Sequence, residues 1–251
     1  MAVKKPNETL QIDALKQGRV TLRLIGTTPL YMNSMSAKAK RSLLIGGGRK
    51  TAAEKRDIKH DPETEFRASM YRQETGDTLL CFPAPGIKAA MATGALETPG
   101  VTKSSVQRLI FLPQQKINIW GRPLLKCDTV RSADMARTPD IRTRAFLPRW
   151  CAEVDIAFVS LTLSAHSIVS LLSNAGVVCG IGDYRQEKGK GGFGTFSVHG
   201  EDLGDWQHEW DEITADARDA QQDAYDNPEY ADQDTADLME MLEDERLIRA
   251  A

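Results

Sequence analysis

CAEVDIAFVSLTLSAHSIVSLLSNA, residues 151–175, is the segment that decides the fold. Apolar residues alternate with polar ones along its first half, which predicts a strand over 151–163 with one buried face. Ser164 is a suitable N-cap, and the apolar spacing that follows predicts a helix over 165–175 that Gly176 ends. A strand joined directly to a helix is half of a βαβ-type unit, so the rest of a sheet must come from elsewhere in the chain.

Weaker patterns on both sides of this segment predict the remaining elements. A half-buried strand is predicted at 19–25, and a helix over 86–96 follows the turn residues of PAP. Further short strands are predicted at 78–82, 106–112, 116–120, 124–130, 177–180 and 193–198. The order is β–α–β…β–α–β with insertions, which predicts an α+β fold with a ferredoxin-like antiparallel sheet and helices on one face. We expect the other face and the insertions to be free to meet a ligand.

The net charge of −3 conceals a strong asymmetry along the chain. Residues 201–251 hold 18 of the 35 Asp and Glu but 3 of the 32 Lys and Arg, a net charge of −15, so residues 1–200 carry +12. A basic body is typical of proteins that bind polyanions. We therefore expect a basic nucleic-acid-binding domain over 1–200 and an acidic, largely flexible tail over 201–251, with a short amphipathic helix at its end.

Composition excludes several other classes of protein. No segment is apolar and long enough for a signal peptide or a membrane span, which predicts a soluble, cytoplasmic protein without a membrane partner. The four cysteines lie in or beside apolar runs and none forms a Cys-x-x-Cys pair, which favours reduced, buried thiols over disulfides or a zinc site. No phosphate-binding P-loop or dinucleotide motif occurs, and we expect no cofactor and no metal.

Three segments supply the candidate contacts to a nucleic-acid strand. They are a basic insertion at 36–60, an Arg-rich stretch at 131–149 and a glycine-rich loop at 180–194, where backbone without side chains can approach a phosphate or base. The candidate binding residues are Lys38, Lys40, Arg41, Arg49, Lys50, Arg137, Arg142, Arg144, Arg149, Trp150, Tyr184, Arg185, Lys188 and Lys190. Tyr31, Tyr71 and Trp120 are further stacking candidates, whereas Phe111, Phe158 and Phe196 are predicted core residues. The alternatives are solvated basic loops and a flexible surface hairpin.

The sequence resembles the repeat-associated RAMP superfamily, whose members form the backbones of CRISPR effectors and processing nucleases. The resemblance rests on the strand that runs into GTTPL at 26–30, on FPAPGIKAAM at 82–91 and on GIGDYR…GKGGFGTF at 180–196, and it spans roughly 19–198. It implies a ferredoxin-like core, RNA or single-stranded DNA as ligand, and self-association into oligomers or filaments along the strand. The acidic tail departs from that family and is similar to the tails of single-strand DNA-binding proteins, which recruit protein partners. The combination favours a phage or plasmid protein of replication or recombination.

The acidic tail has two interpretations. As a flexible polyanion it would occupy the basic groove until nucleic acid displaces it, and it would have to touch the groove because the field decays over about 8 Å at physiological salt. The alternative is a solubilising tail without contacts.

The sequence predicts a binding protein without catalytic activity. The main alternatives are a metal-independent endoribonuclease that uses His60 as general base and a guide-RNA backbone subunit of a CRISPR-like complex. A third hypothesis is an assembly protein whose basic body binds the acidic tails of its neighbours. No paired-carboxylate, G-x-S-x-G or H-E-x-x-H signature supports catalysis.

Overall fold

The computed structural model describes residues 14–46, 58–131, 137–188 and 191–250. The strands are β1 Gln17–Gly26, β2 Leu30–Met32, β3 Cys81–Pro83, β4 Ile110–Phe111, β5 Lys116–Trp120, β6 Leu124–Arg131, β7 Pro139–Leu147, β8 Cys151–Val159 and β9 Phe196–His199. The helices are α1 Ala37–Ile45, α2 Pro62–Ser69, α3 Ala84–Gly94, α4 Lys103–Leu109, α5 Ala165–Val178, α6 Gln207–Thr214, α7 Ala217–Asp226 and α8 Gln233–Ala250. Within these ranges, no helix combines the length and the apolar character needed to cross a membrane.

The main sheet confirms the ferredoxin-like prediction. Its strand order is β3-β5-β8-β1-β9, with β4 also paired to β8, and the pairs are antiparallel. The chain order β1, α3, β5, β8, α5, β9 is the βαββαβ succession, and β8 lies between β1 and β5 as a split βαβ unit requires.

The core lies between this sheet and the pair of helices α3 and α5. Leu24 of β1, Ile156 of β8, Met91 of α3 and Leu172 of α5 are buried in one cluster. The helices touch at Gly94, where a Cβ atom would lie only 2.8 Å from the backbone nitrogen of Ala175. Both helices therefore lie on the same face of the sheet, as the sequence predicts.

A second, three-stranded sheet has the order β2-β7-β6 and stands beside the main sheet. The Arg-rich stretch at 131–149, expected to be a loop, supplies the central strand of this sheet, because β7 runs from Pro139 to Leu147 and pairs with β6 on one side and β2 on the other. Helix α2 buries Phe66 against this sheet.

The acidic C-terminal segment differs most from its prediction, because it is folded onto the body instead of extending as a largely flexible tail. Helix α6 buries Trp210 and Ile213 on the face of the main sheet opposite α3 and α5, with Ile25 and Cys151. Met239 of α8 joins the main core. The sheet face expected to be free for a ligand is therefore partly covered.

Two shorter elements are also corrected. Residues 103–109 form helix α4 instead of the strand expected at 106–112, because the Thr102 hydroxyl accepts the Ser105 N–H at 3.2 Å and caps a helix. Helix α5 passes Gly176 and ends at Val178, so the strand expected at 177–180 does not form. Gly176 instead allows Phe196 to approach, since a Cβ atom there would lie 2.2 Å from the Phe196 carbonyl oxygen.

Candidate functional site

A groove of about 1220 Å³ lies where α1, α2, α3 and the segment 111–116 meet. The described residues that line it are Ser34, Met35, Ala37, Lys40, Thr64, Arg67, Ala68, Met70, Tyr71, Arg72, Cys81, Pro83, Ala84, Pro85, Lys88, Phe111, Leu112, Gln114, Gln115, Lys116 and Tyr225. We call it the basic groove, because five of these side chains are cations and none is a carboxylate.

Four of the five cations lie on helices or strands of the fold, and Arg72 lies between α2 and β3. Lys40 lies on α1, whose first turn is capped by the Ser36 hydroxyl, and Lys88 lies on α3. Lys116 begins β5, and its Nζ donates to the Arg72 carbonyl oxygen at 3.0 Å, which fixes the ammonium group at the rim. Lys40 and Lys88 make no ion pair within the described part of the chain, so their charges are available to an anion.

The first residues of α3, Ala84 and Pro85, also line the groove. The positive end of the helix dipole there adds to the potential of the lysines. A concave surface with cations, no carboxylate and a helix N-terminus concentrates anions.

Aromatic rings are exposed beside these charges. Phe111, expected in the core, is 56% exposed on the short strand β4, whereas Phe158 and Phe196 are buried as predicted. Tyr71, a sequence-derived stacking candidate, lines the groove and contacts Phe82 edge to face at 5.7 Å. Burial raises the pKa of the Tyr71 hydroxyl, which keeps it neutral. Such rings offer faces on which nucleobases can stack.

Arg67 and Arg72 occupy the wall formed with α7. The Cζ atom of Arg72 lies 4.4 Å from the centroid of the Tyr225 ring, and that of Arg67 lies 5.9 Å from it. Arg67 also pairs with Glu63 at 3.1 Å, one helical turn earlier. The wall is thus built from the basic body and from the acidic segment together.

The residues chosen from the sequence do not converge on this groove. Among them, Lys40 lines it. Arg41 lies exposed on the same helix, and Arg142 and Arg137 lie exposed in and beside β7. Arg49, Lys50 and Lys190 lie outside the described residues, as do the side chains of Lys38 and Lys188.

Arg144 has an internal role instead of the expected surface one. Its side chain is 2% exposed and pairs with Asp128 at 2.8 Å and Asp183 at 3.0 Å, while its Cζ lies 4.4 Å from the Tyr31 ring. Hydrogen bonds to the Tyr184 amide and to Arg144 hold the pKa of Asp183 below its usual value. These contacts tie the glycine-rich loop to β6 and β7.

Trp150 is corrected in the same way, whereas Arg149 stays exposed but is paired with carboxylates. Trp150 is fully buried, and its Nε1 donates to the Thr28 carbonyl oxygen at 2.9 Å, so no ring face is available to a base. Arg149 pairs with Glu209 at 3.3 Å and Glu212 at 2.8 Å on α6.

The glycine-rich loop is packed against itself and β2. A Cβ atom on Gly194, whose φ is +72°, would lie 1.8 Å from the Ile181 carbonyl oxygen. Arg185 of this loop lies 3.4 Å from Glu187. Tyr184 is 42% exposed and is the ring in this loop that remains open to a ligand. Gly194 is thus required for close backbone packing.

The residue proposed as a general base is fully engaged. His60 Nδ1 lies 2.9 Å from Glu65 and Nε2 lies 3.0 Å from Asp140, which also pairs with Lys59. Both ring nitrogens therefore have carboxylate partners. Within the described ranges, no group of three or more His, Cys, Asp or Glu is arranged to hold a metal ion.

The four cysteines are free and buried, as predicted. Burial raises the pKa of each thiol, so none is activated as a nucleophile.

Comparison with known proteins gives a distant structural likeness. One similar structure is that of the Type III-B Cmr-beta bound to cognate target RNA, with 12% identity, a TM-score of 0.38, and coverage of 72% of this chain and 59% of that one. Another is Cmr6 from Pyrococcus furiosus, with 11% identity, a TM-score of 0.36, and coverage of 74% of this chain and 100% of that one. This chain thus matches less than two thirds of the first structure.

No protein-family model matches the sequence, and no curated protein does. The assignment to a ferredoxin-like α+β fold rests on the strand order and helix placement described above.

Most of the basic groove was missed from the sequence. Lys88 is the single charge in the apolar helix IKAAMATGAL, and Lys116 follows the polar run PQQ at 113–115, so each stands out from its surroundings. Arg67, Arg72 and Tyr225 carry no such local signal, since they meet only through tertiary packing.

Proposed function

We propose that the protein is a non-catalytic single-stranded nucleic-acid-binding protein and that the strand lies in the basic groove. The observation that carries this proposal is the lining: five cations from five separate segments of the chain and two exposed or half-exposed rings, with no carboxylate among the described lining residues. Phosphates require the cations, and unpaired bases require stacking faces, so a single strand suits this surface better than a small anion does.

The salt dependence of binding follows from the number of cations. Each phosphate contact to a single strand contributes about −0.7 to the slope of log K against log salt. Three contacts from Lys40, Lys88 and Lys116 give a slope of about −2. Arg72 extends it to about −2.8, whereas the charge of Arg67 is already paired with Glu63. Stacking on Phe111 or Tyr71 adds about 1–3 kcal/mol per base and depends little on salt.

The test is a fluorescence-anisotropy titration of the full chain with labelled oligonucleotides at several salt concentrations. RNA and DNA strands of the same sequence are compared with their duplexes, because phosphate contacts serve both backbones whereas stacking requires unpaired bases. Lys88→Ala and Lys116→Ala are each expected to weaken binding and to make the slope shallower by about 0.7.

Lys103→Ala is the matched control, because Lys103 is exposed on α4 and does not line the basic groove. It should bind as the parent protein does. Equal losses in all three variants would mean that general charge, and not this groove, accounts for binding. Absence of any strand binding would refute the proposed function.

The same samples test catalysis and assembly. Because His60 is held by two carboxylates, we expect labelled RNA to remain intact after incubation at 37 °C. Self-association along the strand, which the RAMP resemblance implies, would show as an increase in bound protein with oligonucleotide length.

A further inference from the structure

Helix α7 of the acidic segment forms part of the wall of the basic groove. Its residue Tyr225 is a lining residue, and the Arg72 guanidinium lies 4.4 Å from its ring centroid. An arginine held over an aromatic ring is restricted in its rotamers, so its charge stays at the groove.

Arg67 is fixed by the same helix end. Its Nε donates to the Tyr225 carbonyl oxygen at 3.0 Å and its Nη2 donates to the Asp226 carbonyl oxygen at 3.3 Å. These carbonyls close α7, where the helix dipole is negative and a cation is favoured.

The position of α7 is itself set by buried contacts. Gln221 is fully buried and bonds to the backbone of residues 79, 80, 119 and 121 at 2.8–3.0 Å. Arg218 donates to the carbonyl oxygens of Glu74, Gly76 and Thr78. Tyr225 is therefore presented to the groove from a fixed helix.

Three carboxylates that follow Gln221 are paired with cations of the body that do not line the groove. Asp223 and Glu229 pair with Arg122, and Asp232 pairs with Lys126. No carboxylate is among the described lining residues. The segment can thus border a polyanion site without repelling the ligand at close range.

We propose that the acidic C-terminal segment completes the strand-binding groove, with the Tyr225 ring as a positioning residue that holds Arg72 toward the strand. This inference rests on the proposed function and gives the segment the opposite role to a competitor for the groove. It means that correct docking of α7 increases affinity.

The test replaces Tyr225 in the full chain. Tyr225→Phe keeps the ring and should bind within about twofold of the parent protein. Tyr225→Leu keeps apolar volume without a ring and should bind about two- to fivefold more weakly. Its salt slope should be shallower by up to about 0.7, because Arg72 alone loses its ring contact while Arg67 keeps its bonds to the main chain. Circular dichroism and thermal unfolding verify that each variant is folded, and if Tyr225→Leu is not, Tyr225→Met takes its place.

A double-mutant cycle separates positioning from general structure. If Tyr225 acts through Arg72, adding Tyr225→Leu to Arg72→Ala should cost little more than Arg72→Ala alone. Additive losses, or a Tyr225→Leu variant with parental affinity and slope, would overturn the inference. The proposed function fails separately, when the parent protein binds no strand or when Lys88→Ala and Lys116→Ala bind as it does.

Discussion

Replacing Gln221 tests whether the acidic segment is a folded part of the domain. The Gln221 side chain is fully buried, and its four hydrogen bonds join α7 to the backbone around β3 and β5. Its Oε1 accepts the Leu79 and Leu80 N–H groups, and its Nε2 donates to the carbonyl oxygens of Ile119 and Gly121. Gln221→Ala therefore leaves two donors and two acceptors without their partner.

The magnitude follows from these four groups. A buried polar group without a partner costs about 1–3 kcal/mol. If relaxation and entering water satisfy half of them, about 4 kcal/mol of the free energy of unfolding is lost. For a chain of this size that loss lowers the melting temperature by roughly 8–16 °C.

Urea unfolding followed by circular dichroism measures this change. Gln222→Ala is the matched control, because Gln222 is exposed on the same helix and bonds only to Asp226, one turn later. We expect it to stay within about 0.5 kcal/mol of the parent protein. A Gln221→Ala variant that is equally stable would show that α7 does not dock as described.

Three further predictions concern the contacts that hold the fold together. Lys126 and Thr235 lower the pKa of Asp232 to about 2, below its value of 3.8 in the unfolded chain, so its stabilisation is complete above about pH 4 and is lost as the pH falls toward 2. The free energy of unfolding between pH 2 and 5 should therefore change less in Asp232→Asn than in the parent protein. The same pH dependence in both proteins would contradict the lowered pKa of Asp232. Arg144→Met leaves Asp128 and Asp183 without their cation and should cost about 3 kcal/mol in urea unfolding, whereas Arg142→Met, exposed on the same strand, should cost less than about 0.5 kcal/mol. Gly194→Ala should lower the melting temperature strongly, because its Cβ would lie 1.8 Å from the Ile181 carbonyl oxygen. Gly192→Ala should be tolerated, because a Cβ atom there would have no atom within 4 Å. Similar melting temperatures for the two variants would refute close packing of the loop.

The sheet and its two main helices could be predicted because their signals are local. Alternation in β8 and β1 specifies which face is buried, and Ser164 caps α5 as expected through its bond to the Ser167 N–H. The prediction of a strand over 106–112 was wrong because VQRLIFL is a short apolar run, and the periodicity of such a run does not distinguish a helix from a strand.

The prediction of a flexible tail was wrong because it rested on the average composition of 51 residues. A charge of −15 predicts disorder, yet the buried positions Trp210, Ile213, Ala217, Gln221 and Ala224 recur at spacings of three and four. That spacing is typical of a helix face against a core. The carboxylates of the segment are compatible with folding because Arg149, Arg122 and Lys126 of the body pair with several of them.

Most residues of the basic groove could not be predicted from the sequence, for a different reason. Clusters of Lys and Arg along the chain indicate charge but not whether that charge is free for a ligand. Arg144 is buried in ion pairs, and the exposed Arg149 is paired with two carboxylates of α6. The groove instead collects single cations from distant segments, such as Lys40, Lys88 and Lys116, which only the tertiary fold brings together.

Photo-cross-linking of a single strand to the full chain shows directly whether the strand binds in the basic groove. A 4-thiouridine oligonucleotide is bound at low salt, irradiated and digested, and the cross-linked peptides are identified by mass spectrometry. If the strand lies in the basic groove, adducts should form in peptides that contain Tyr71 or Phe111, which line it. Adducts confined to the β6–β7 hairpin or to the glycine-rich loop would contradict it.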